Sequence, residues 1–399
     1  MKNQIVVTIL MLFCGASLYA QNSRFSQVFS APTQMNPSLT GRYDGKIKIS
    51  SLSSWQTADK GINRNWFKMN HQNISAEIKI GAYRNYGDDE NTQDSSKKLL
   101  MLPTKSLEEK DVANMSKKNN GYWAVGANYY NYHHETSPLA ASFYSVSLAR
   151  HFYNRSNKFF GFGIQGVYAS GNLDETKSVS RYNVEISGGG FGYPFIRNTN
   201  DSNKFVRSKN YYDYSVGGYY GMTTEAVMFE IGLAMNHLFY PANNFVYDKV
   251  NDPYQKDISR LRHRITADAL LRLKFNPKWG IIIKNVLWQD GLYWRSKKQN
   301  NNDSLNPVAF WSGVEFYKLN PTSNCNLNFG LYTRSFKTII PYLNINISNF
   351  ANLRYSYERP FASKKYTLVI PKRNELALIL SIGRNSSPGS KFYRKINFW

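Results

Sequence analysis

Three short segments carry residue types that take part in chemistry, but none has the context that the chemistry needs. The glycines of residues 161–166 have the spacing of a dinucleotide-binding turn, yet that turn must join a strand to a helix whose N-terminus faces the pyrophosphate. Here they lie inside a predicted strand, where small residues relieve crowding or permit curvature. The His-His-Glu sequence at 133–135 places neighbouring side chains on opposite strand faces. The Asp-Asp-Glu sequence at 88–90 lacks the alternate spacing and glycine of a calcium loop.

No G-x-S-x-G, H-E-x-x-H or Walker motif occurs either. The sequence therefore predicts no catalytic residue, no cofactor and no metal site, and we interpret the protein as a non-enzyme.

The most regular polar pattern lies in residues 260–275, which alternate between two chemically different faces. One face carries Arg260, Arg262, Arg264, Thr266, Asp268, Arg272 and Lys274, and the other Ile265, Ala267, Ala269, Leu271, Leu273 and Phe275. Strands of globular proteins usually run about five or six residues, whereas an apolar exterior around a polar lumen makes a long two-faced strand natural. We predict that the charged residues contact the lumen or a partner at Arg260, Arg262, Arg264, Asp268 and Arg272.

The composition is that of an ordered, basic protein. The 399 residues are 42% hydrophobic and 15% aromatic, so the chain is not disordered by composition. No Pro/Ser-rich linker divides it, and we predict one domain. The formal net charge of +23 indicates an acidic counterpart, for which lipid phosphates, lipopolysaccharide and an acidic protein are the candidates in an exported protein. Nucleic acid is not expected, and a basic surface that serves only solubility is the alternative.

The N-terminus predicts export. Lys2 precedes an apolar run and a Leu-Tyr-Ala sequence ending at residue 20, which is typical of a secretory signal peptide over 1–20. Lipidation at Cys14 is disfavoured because the bulky Phe13 precedes it. Removal of the signal peptide leaves Cys325 as the only cysteine, so an internal disulfide is excluded. The mature protein is then either soluble or a membrane β-barrel, and the many aromatic residues favour a barrel with aromatic girdles.

Fourteen segments alternate well enough to predict strands, and no helical pattern of similar length occurs. They lie near residues 44–56, 71–81, 121–133, 142–154, 158–173, 211–222, 227–239, 260–274, 278–291, 306–319, 325–336, 338–346, 351–359 and 374–384. This pattern predicts an all-β, transmembrane antiparallel barrel of about 14 strands over residues 44–384. It leaves an N-terminal motif segment at 21–43 and a C-terminal tail at 385–399.

Connection lengths support the strand assignment, because bacterial barrels have short periplasmic turns and longer extracellular loops. Short connections are expected at 154–157, 223–226, 276–277, 320–324 and 347–350, and long ones at 174–210, 240–259, 292–305 and 360–373. Two exceptions are a tight turn at 337–338 on the long side and the charged insertion 82–120 on the short side. The insertion conceals an extra strand pair, forms a periplasmic docking element, or is a solvated loop.

Several short motifs along the chain resemble the PorP/SprF family of type IX secretion system membrane proteins. The N-terminal ones are Phe25-Ser26-Gln27, Asn36-Pro37, Thr40-Gly41 and Trp55-Gln56. The middle block is Asp213 to Tyr220 with Asn236-His237-Leu238 and Pro241, and the C-terminal blocks are Tyr355-Ser356-Tyr357-Glu358 and Asn374-Glu375-Leu376. Each motif is short, but together they span nearly the whole mature chain.

The resemblance implies an outer-membrane barrel that works with the type IX secretion and gliding machinery. It implies that the barrel binds, exports or anchors a secreted surface protein, such as a gliding adhesin, through the C-terminal sorting domain of that cargo. It supplies no catalytic residues. One alternative is a passive porin or an anion-preferring channel, in which the cationic row would select anions. Another is an adhesin that acts alone. The cationic row could instead pair with acids such as Glu230 and close the lumen.

Overall fold

A computed structural model describes the parts of the chain that form the barrel and its N-terminal segment. The described residues are 25–43, 45–57, 68–80, 121–134, 139–153, 157–173, 210–224, 226–241, 261, 263–276, 279–290, 308–318, 325–347, 350–361 and 372–382. The predicted signal peptide, the insertion 82–120, the C-terminal tail and the candidate contacts Arg260 and Arg262 lie outside these residues.

The described residues form fourteen strands preceded by three short 3-10 helices. The helices are η1 (Val28–Ser30), η2 (Pro32–Gln34) and η3 (Pro37–Leu39). The strands are β1 (Ile47–Thr57), β2 (Lys68–Ile80), β3 (Gly121–His134), β4 (Leu139–Tyr153), β5 (Lys158–Leu173), β6 (Tyr211–Thr223), β7 (Val227–Asn236), β8 (Arg264–Lys274), β9 (Trp279–Asp290), β10 (Val308–Lys318), β11 (Cys325–Arg334), β12 (Thr338–Ile347), β13 (Ala351–Pro360) and β14 (Lys372–Ile382).

Each strand pairs antiparallel with its sequence neighbours, and β1 pairs with β14 to close the barrel. In that closing seam Ile47 lies opposite Ile382 and Thr57 lies opposite Lys372. Closure leaves no strand edge with unpaired backbone groups, which is what a sheet in a membrane requires. The predicted antiparallel barrel of about 14 strands is confirmed.

Alternating residues explain why these strands form a two-faced wall. In β14, Leu376 and Leu378 are 40% and 43% exposed on the outside, whereas Glu375 and Ala377 are buried in the lumen. The same period of two runs through β1 and β13. Apolar side chains therefore form the outer surface and polar side chains the interior, the arrangement of a barrel in lipid.

Two aromatic rows mark the limits of the apolar outer surface across β3 to β6. Tyr129, Tyr144, Tyr168 and Tyr212 form one row, with successive ring centroids 5.1, 6.2 and 5.3 Å apart. The other row lies toward the opposite end, where the ring of Phe152 is 4.8 Å from that of Phe160. Eight residues of β5 separate Tyr168 from Phe160, which corresponds to roughly 20 Å of height for a strand tilted by about 40°. This height is close to the apolar band of an outer-membrane barrel, about 25 Å.

The two ends of the barrel differ in the length of their connections. We call the end where odd-numbered strands finish the loop end, and the opposite end the turn end. At the turn end β6 joins β7 across three residues, and at the loop end β5 joins β6 across residues 174–210. The tight turn predicted on the loop side spans 335–337, and β2 pairs directly with β3 in the barrel wall.

Several strand boundaries differ from the sequence prediction by two to four residues. β8 begins at Arg264 and not at Arg260. β7 ends at Asn236 and not at 239, because His237 and Tyr240 adopt left-handed backbone conformations with φ of 61° and 48° that turn the chain out of the sheet. Leu270 interrupts the polar face of β8, where it is completely buried inside the lumen.

Candidate functional site

Residues 25–43, which we call the plug, lie inside the barrel. Most of their side chains are buried, and their hydrogen bonds reach widely separated parts of the wall. These bonds join Ser26 to Glu375 on β14, Thr40 to Ser147 on β4, and Asn36 to Asp268 on β8. A segment that bonds to such distant strands of one closed barrel must occupy its lumen.

The plug runs the length of the lumen in a compact, irregular conformation. Phe25 packs on the rings of His71 and Tyr130 at centroid distances of 5.9 and 5.6 Å. At the other end of the plug the chain turns into β1. The Asn36 side chain accepts a hydrogen bond from the Ser38 amide at 3.1 Å and so caps η3. Three-residue 3-10 helices are too short to show a periodic hydrophobic pattern in the sequence.

A buried carboxylate holds the first residues of the plug, Phe25 to Gln27, which we call the tip. The two carboxylate oxygens of Glu375 accept the backbone amides of Ser26 and Gln27 at 2.6 and 2.5 Å. The Gln27 side-chain amide donates to the Glu375 carbonyl oxygen at 3.1 Å. Charge-assisted bonds of this kind are roughly twice as strong as neutral ones. Because Glu375 lies three residues from the start of β14, the tip is anchored at the loop end.

A second buried carboxylate completes the cluster at the tip. Glu358 accepts a hydrogen bond from the Ser26 hydroxyl and pairs with Arg334 at 2.6 Å. Arg373 lies between the two acids, 3.9 Å from Glu358 and 3.7 Å from Glu375. Two arginines and two glutamates thus neutralise one another in a place where an unpaired charge would be strongly unfavourable.

Glycines give the plug room in the middle of the barrel. A Cβ atom added to Gly163 would lie 2.5 Å from the Pro37 carbonyl oxygen and 2.7 Å from the Ser38 Cα. A Cβ on Gly217 would collide with the Asn36 side chain. The glycine-rich residues 161–166 therefore lie in β5, and Gly163 allows the plug backbone to approach the wall closely.

Ion pairs also fix the plug at the turn end. Arg42 lies 2.8 Å from Glu230, whose side chain is completely buried, and its guanidinium lies 4.4 Å from the centre of the Phe159 ring. Burial lowers the pKa of Arg42, but the Glu230 carboxylate and the side chains of Tyr219, Tyr153 and Tyr122 together outweigh this effect and hold that pKa well above its ordinary value. Arg42 is therefore permanently charged.

The last plug residues bind a further buried acid, Glu77. Glu77 accepts the Gly41 amide at 2.6 Å and pairs with Lys48 at 2.5 Å. The Tyr43 hydroxyl donates to the Glu77 carbonyl oxygen at 2.8 Å. Burial, together with the Glu77 charge, raises the pKa of Tyr43 far above its ordinary value, so this hydroxyl stays a donor. The plug is thus tied to the wall at both ends.

Three of the five predicted lumen residues are described, and all three lie on the inner face of β8. Asp268 accepts a hydrogen bond from the Asn36 side chain at 3.2 Å. Arg264 is buried at the loop end, with its guanidinium 4.2 Å from the centre of the Trp288 ring. Arg272 is buried nearer the turn end. The acid Glu230, one of the acids that could pair with the cationic row, pairs with Arg42 of the plug.

The family-motif residues lie at several distinct places. Trp55 faces outward at 45% exposure and Gln56 faces inward, where it accepts a hydrogen bond from Arg373 at 2.8 Å. Tyr357 is half-buried next to the buried Glu358, and Pro241 is buried just beyond β7. His237 bonds through Nδ1 to Asp213 at 2.7 Å. This last contact joins two parts of the middle motif block that are 24 residues apart.

Sequence patterns did not predict where the plug residues lie or what binds them. The sequence of residues 25–43 differs from the strands only in its high proportion of short polar residues and prolines and in its lack of alternation between polar and apolar residues. Among the described residues no group of three or more His, Cys, Asp or Glu side chains could hold a metal ion. The Asp-Asp-Glu sequence at 88–90, and the side chains of His134 and Glu135, lie outside the description.

The described segments likewise contain no helix long and apolar enough to cross a bilayer. A closed barrel with an apolar exterior, aromatic rows and an internal plug defines an outer-membrane-type β-barrel protein. The model of the type IX secretion system membrane protein PorP/SprF family matches residues 17–367, and the chain belongs to this family. No curated protein sequence matches the chain.

Several solved barrel structures are similar to the chain at low sequence identity. The toluene transporter TbuX from Ralstonia pickettii is 9% identical, with 88% of this chain and 92% of that chain covered and a TM-score of 0.41. The deltaS2S3 mutant of the monoaromatic hydrocarbon channel TodX is 9% identical, with 92% and 95% covered and a TM-score of 0.42. The translocator domain of the autotransporter NalP from Neisseria meningitidis is 11% identical, with 92% and 99% covered and a TM-score of 0.33. Similarity at this level carries no information about function.

Proposed function

We propose that this protein is a non-enzymatic outer-membrane accessory of the type IX secretion and gliding machinery that binds and anchors a secreted surface protein. The observation that carries the proposal is the plug. A polypeptide crossing this lumen would have to displace residues 25–43, and so break the hydrogen bonds from the tip to Glu375 and the ion pair between Arg42 and Glu230. The barrel is therefore better suited to hold a cargo at its surface than to conduct one.

The loop end is the proposed docking side. Outer-membrane barrels carry their long connections outside the cell, so we assign the loop end to the exterior and the insertion 82–120 to the periplasm. We further propose that residues 1–20 are removed on export as a signal peptide. The cargo would carry a type IX C-terminal sorting domain, and other machinery components, outer-membrane lipid and lipopolysaccharide are the remaining proposed partners. The formal charge of +23 favours acidic partners and speeds their encounter more than it tightens binding.

Deletion of the gene, with fractionation of cells and medium, tests the proposal. We expect one defined sorting-domain protein to disappear from the cell surface and collect in the medium or periplasm. Small-solute uptake should stay unchanged, because the plugged barrel contributes no permeability. Normal surface display of every type IX cargo in the deletion strain would refute the proposal.

Planar-bilayer recording separates this function from that of a passive porin or anion-preferring channel. Two cavities between the described residues of the plug and the lumen wall measure about 50 and 10 Å³, too small for a water-filled pore. We expect the purified protein to give no steady conductance. Steady anion-selective current from the wild type would favour the channel.

A further inference from the structure

A small polar cavity lies at the loop end of the lumen, between the plug and strands β3 to β8. Asn236 ends β7 and Arg264 begins β8 on its wall, and Gln34 borders it from the plug. Its volume is about 50 Å³. A site needs roughly 10–15 Å³ of such space for each water, so the cavity has room for about three or four water-sized groups.

Two buried polar atoms on the cavity wall have no hydrogen-bond partner among the described residues. They are the amide nitrogen of Asn236 and the side-chain oxygen of Asn128. Asn236 is 7% exposed and lines the cavity. A buried donor left unsatisfied costs about 1–3 kcal/mol. The Asn236 nitrogen can therefore donate to an acceptor that enters the cavity, and the Asn128 amide, whose oxygen faces the cavity, can turn its NH₂ group toward the same acceptor.

The charges around the cavity favour an anionic acceptor. Arg264 lies directly opposite Asn236 in the β7–β8 register, and both side chains point into the lumen, where such cross-strand neighbours are about 4.5–5.5 Å apart at Cβ. Asp213, the one carboxylate among the described side chains that line the cavity, already accepts hydrogen bonds from His237 Nδ1 at 2.7 Å and the Tyr214 amide at 2.8 Å. The cavity thus pairs an unsatisfied donor with a fixed cation, while its own acid is already bonded.

We propose that this cavity binds a carboxylate group, with Asn236 and Arg264 as the donors and the polar side chain of Asn128 beside them. A carboxylate has two acceptor oxygens and forms short, charge-assisted bonds with arginine. An acidic side chain of a polypeptide and a free small carboxylate present the same group. Either would enter from the loop end, the end of the barrel at which the cavity lies.

Titration of the purified full-length protein in detergent with ¹³C-labelled probes tests the site. The probes are acetate, for a free carboxylate, and N-acetyl-glutamate methylamide, for a residue of a polypeptide. Broadening of the probe signals should give saturable binding to the wild type. Asn236→Asp should weaken binding by about tenfold or more, because it removes the donor and adds a repelling charge. Asn236→Ala, which adds no charge, should weaken it less.

Asn352→Asp is the matched control. Asn352 is 98% buried in the lumen on β13 and also has a side-chain atom without a described partner, but it does not line the cavity. It should bind both probes like the wild type. Tighter binding of the glutamate probe would identify a polypeptide residue as the source, and equal binding a free carboxylate. No saturable binding to the wild type, or equal binding to all variants, would overturn the proposal.

These measurements need no secreted cargo, so they are independent of the proposed anchoring function. Loss of cargo from the cell surface in the deletion strain would leave the binding result unaffected. Absence of probe binding would likewise leave the surface-display result unaffected.

Discussion

Glu375→Gln is expected to release the tip of the plug while leaving the barrel closed. The substitution keeps the shape of the side chain but removes its charge. In the wild type both carboxylate oxygens accept backbone amides of the tip, at 2.6 and 2.5 Å. Glutamine offers one oxygen and places an NH₂ group against the other backbone N–H, so at most one neutral bond remains.

The magnitude follows from these two bonds. Hydrogen bonds to charged groups contribute about 1.5–3 kcal/mol each, and a neutral bond about 0.5–1.5 kcal/mol. Exchanging two of the former for one of the latter weakens the tip by about 1.5–5.5 kcal/mol. At about 1.4 kcal/mol per factor of ten, the detached tip becomes roughly 10- to 10,000-fold more populated.

Hydrogen exchange of the Ser26 and Gln27 amides measures this population directly. Protection of a peptide that covers the tip should fall by the same factor in Glu375→Gln, because exchange requires the amides to leave the carboxylate. The wall strands should keep their protection, since the closing pairs between β1 and β14 are unchanged.

Glu315→Gln is the control, because it removes a buried lumenal carboxylate that does not bond to the tip. Glu315 instead pairs with Lys284 at 2.8 Å and accepts the Tyr332 hydroxyl. Unchanged tip protection in Glu375→Gln, or an equal loss in Glu315→Gln, would refute the assignment of Glu375 as the anchor.

Other positions test the fit and the charge balance of the plug. Gly163→Val should destabilise the protein by about 1–3 kcal/mol in thermal unfolding, since its Cβ would lie 2.5 Å from the plug backbone. Gly166→Val, whose Cβ has its nearest neighbour at 3.8 Å, should be close to neutral, and equal losses would contradict the close approach. Arg42→Met should cost about 3–5 kcal/mol, because it removes the cationic partner of a completely buried carboxylate. Adding Glu230→Gln should recover most of that loss, and failure to recover would argue against the pair. Asn36→Ala should cost about 0.5–2 kcal/mol through the lost helix cap, with reduced plug protection in hydrogen exchange as its readout.

The strand pattern was predictable because it is local. Alternation such as that of Leu376 and Leu378 against Glu375 and Ala377 follows from the two faces of a strand, whatever the strand pairs with. The predicted strand count agrees with the structure, and most strand boundaries lie within one residue of the predicted ones. The predicted end of β7 was wrong because backbone conformation decides it: the chain leaves the sheet at His237, which has a left-handed φ of 61°.

The candidate site was less predictable because its contacts join residues far apart in sequence. Ser26 bonds to Glu375 across 349 positions, and Asn36 bonds to Asp268 across 232. The family motifs pointed to Asn236 and His237, but nothing local indicated that Asp213 would bond to His237.

The sequence by itself determined that this chain is a two-faced barrel wall with short connections at one end and long connections at the other, because side-chain alternation and turn composition are properties of neighbouring residues. Only the tertiary structure decided that residues 25–43 fill the lumen. Their position depends on carboxylates and glycines of the wall that closure of the barrel brings together. The sequence of residues 25–43 does not indicate which wall residues these are. Folding also places Arg264, one residue of the cationic row, beside Asn236 on the wall of a defined cavity.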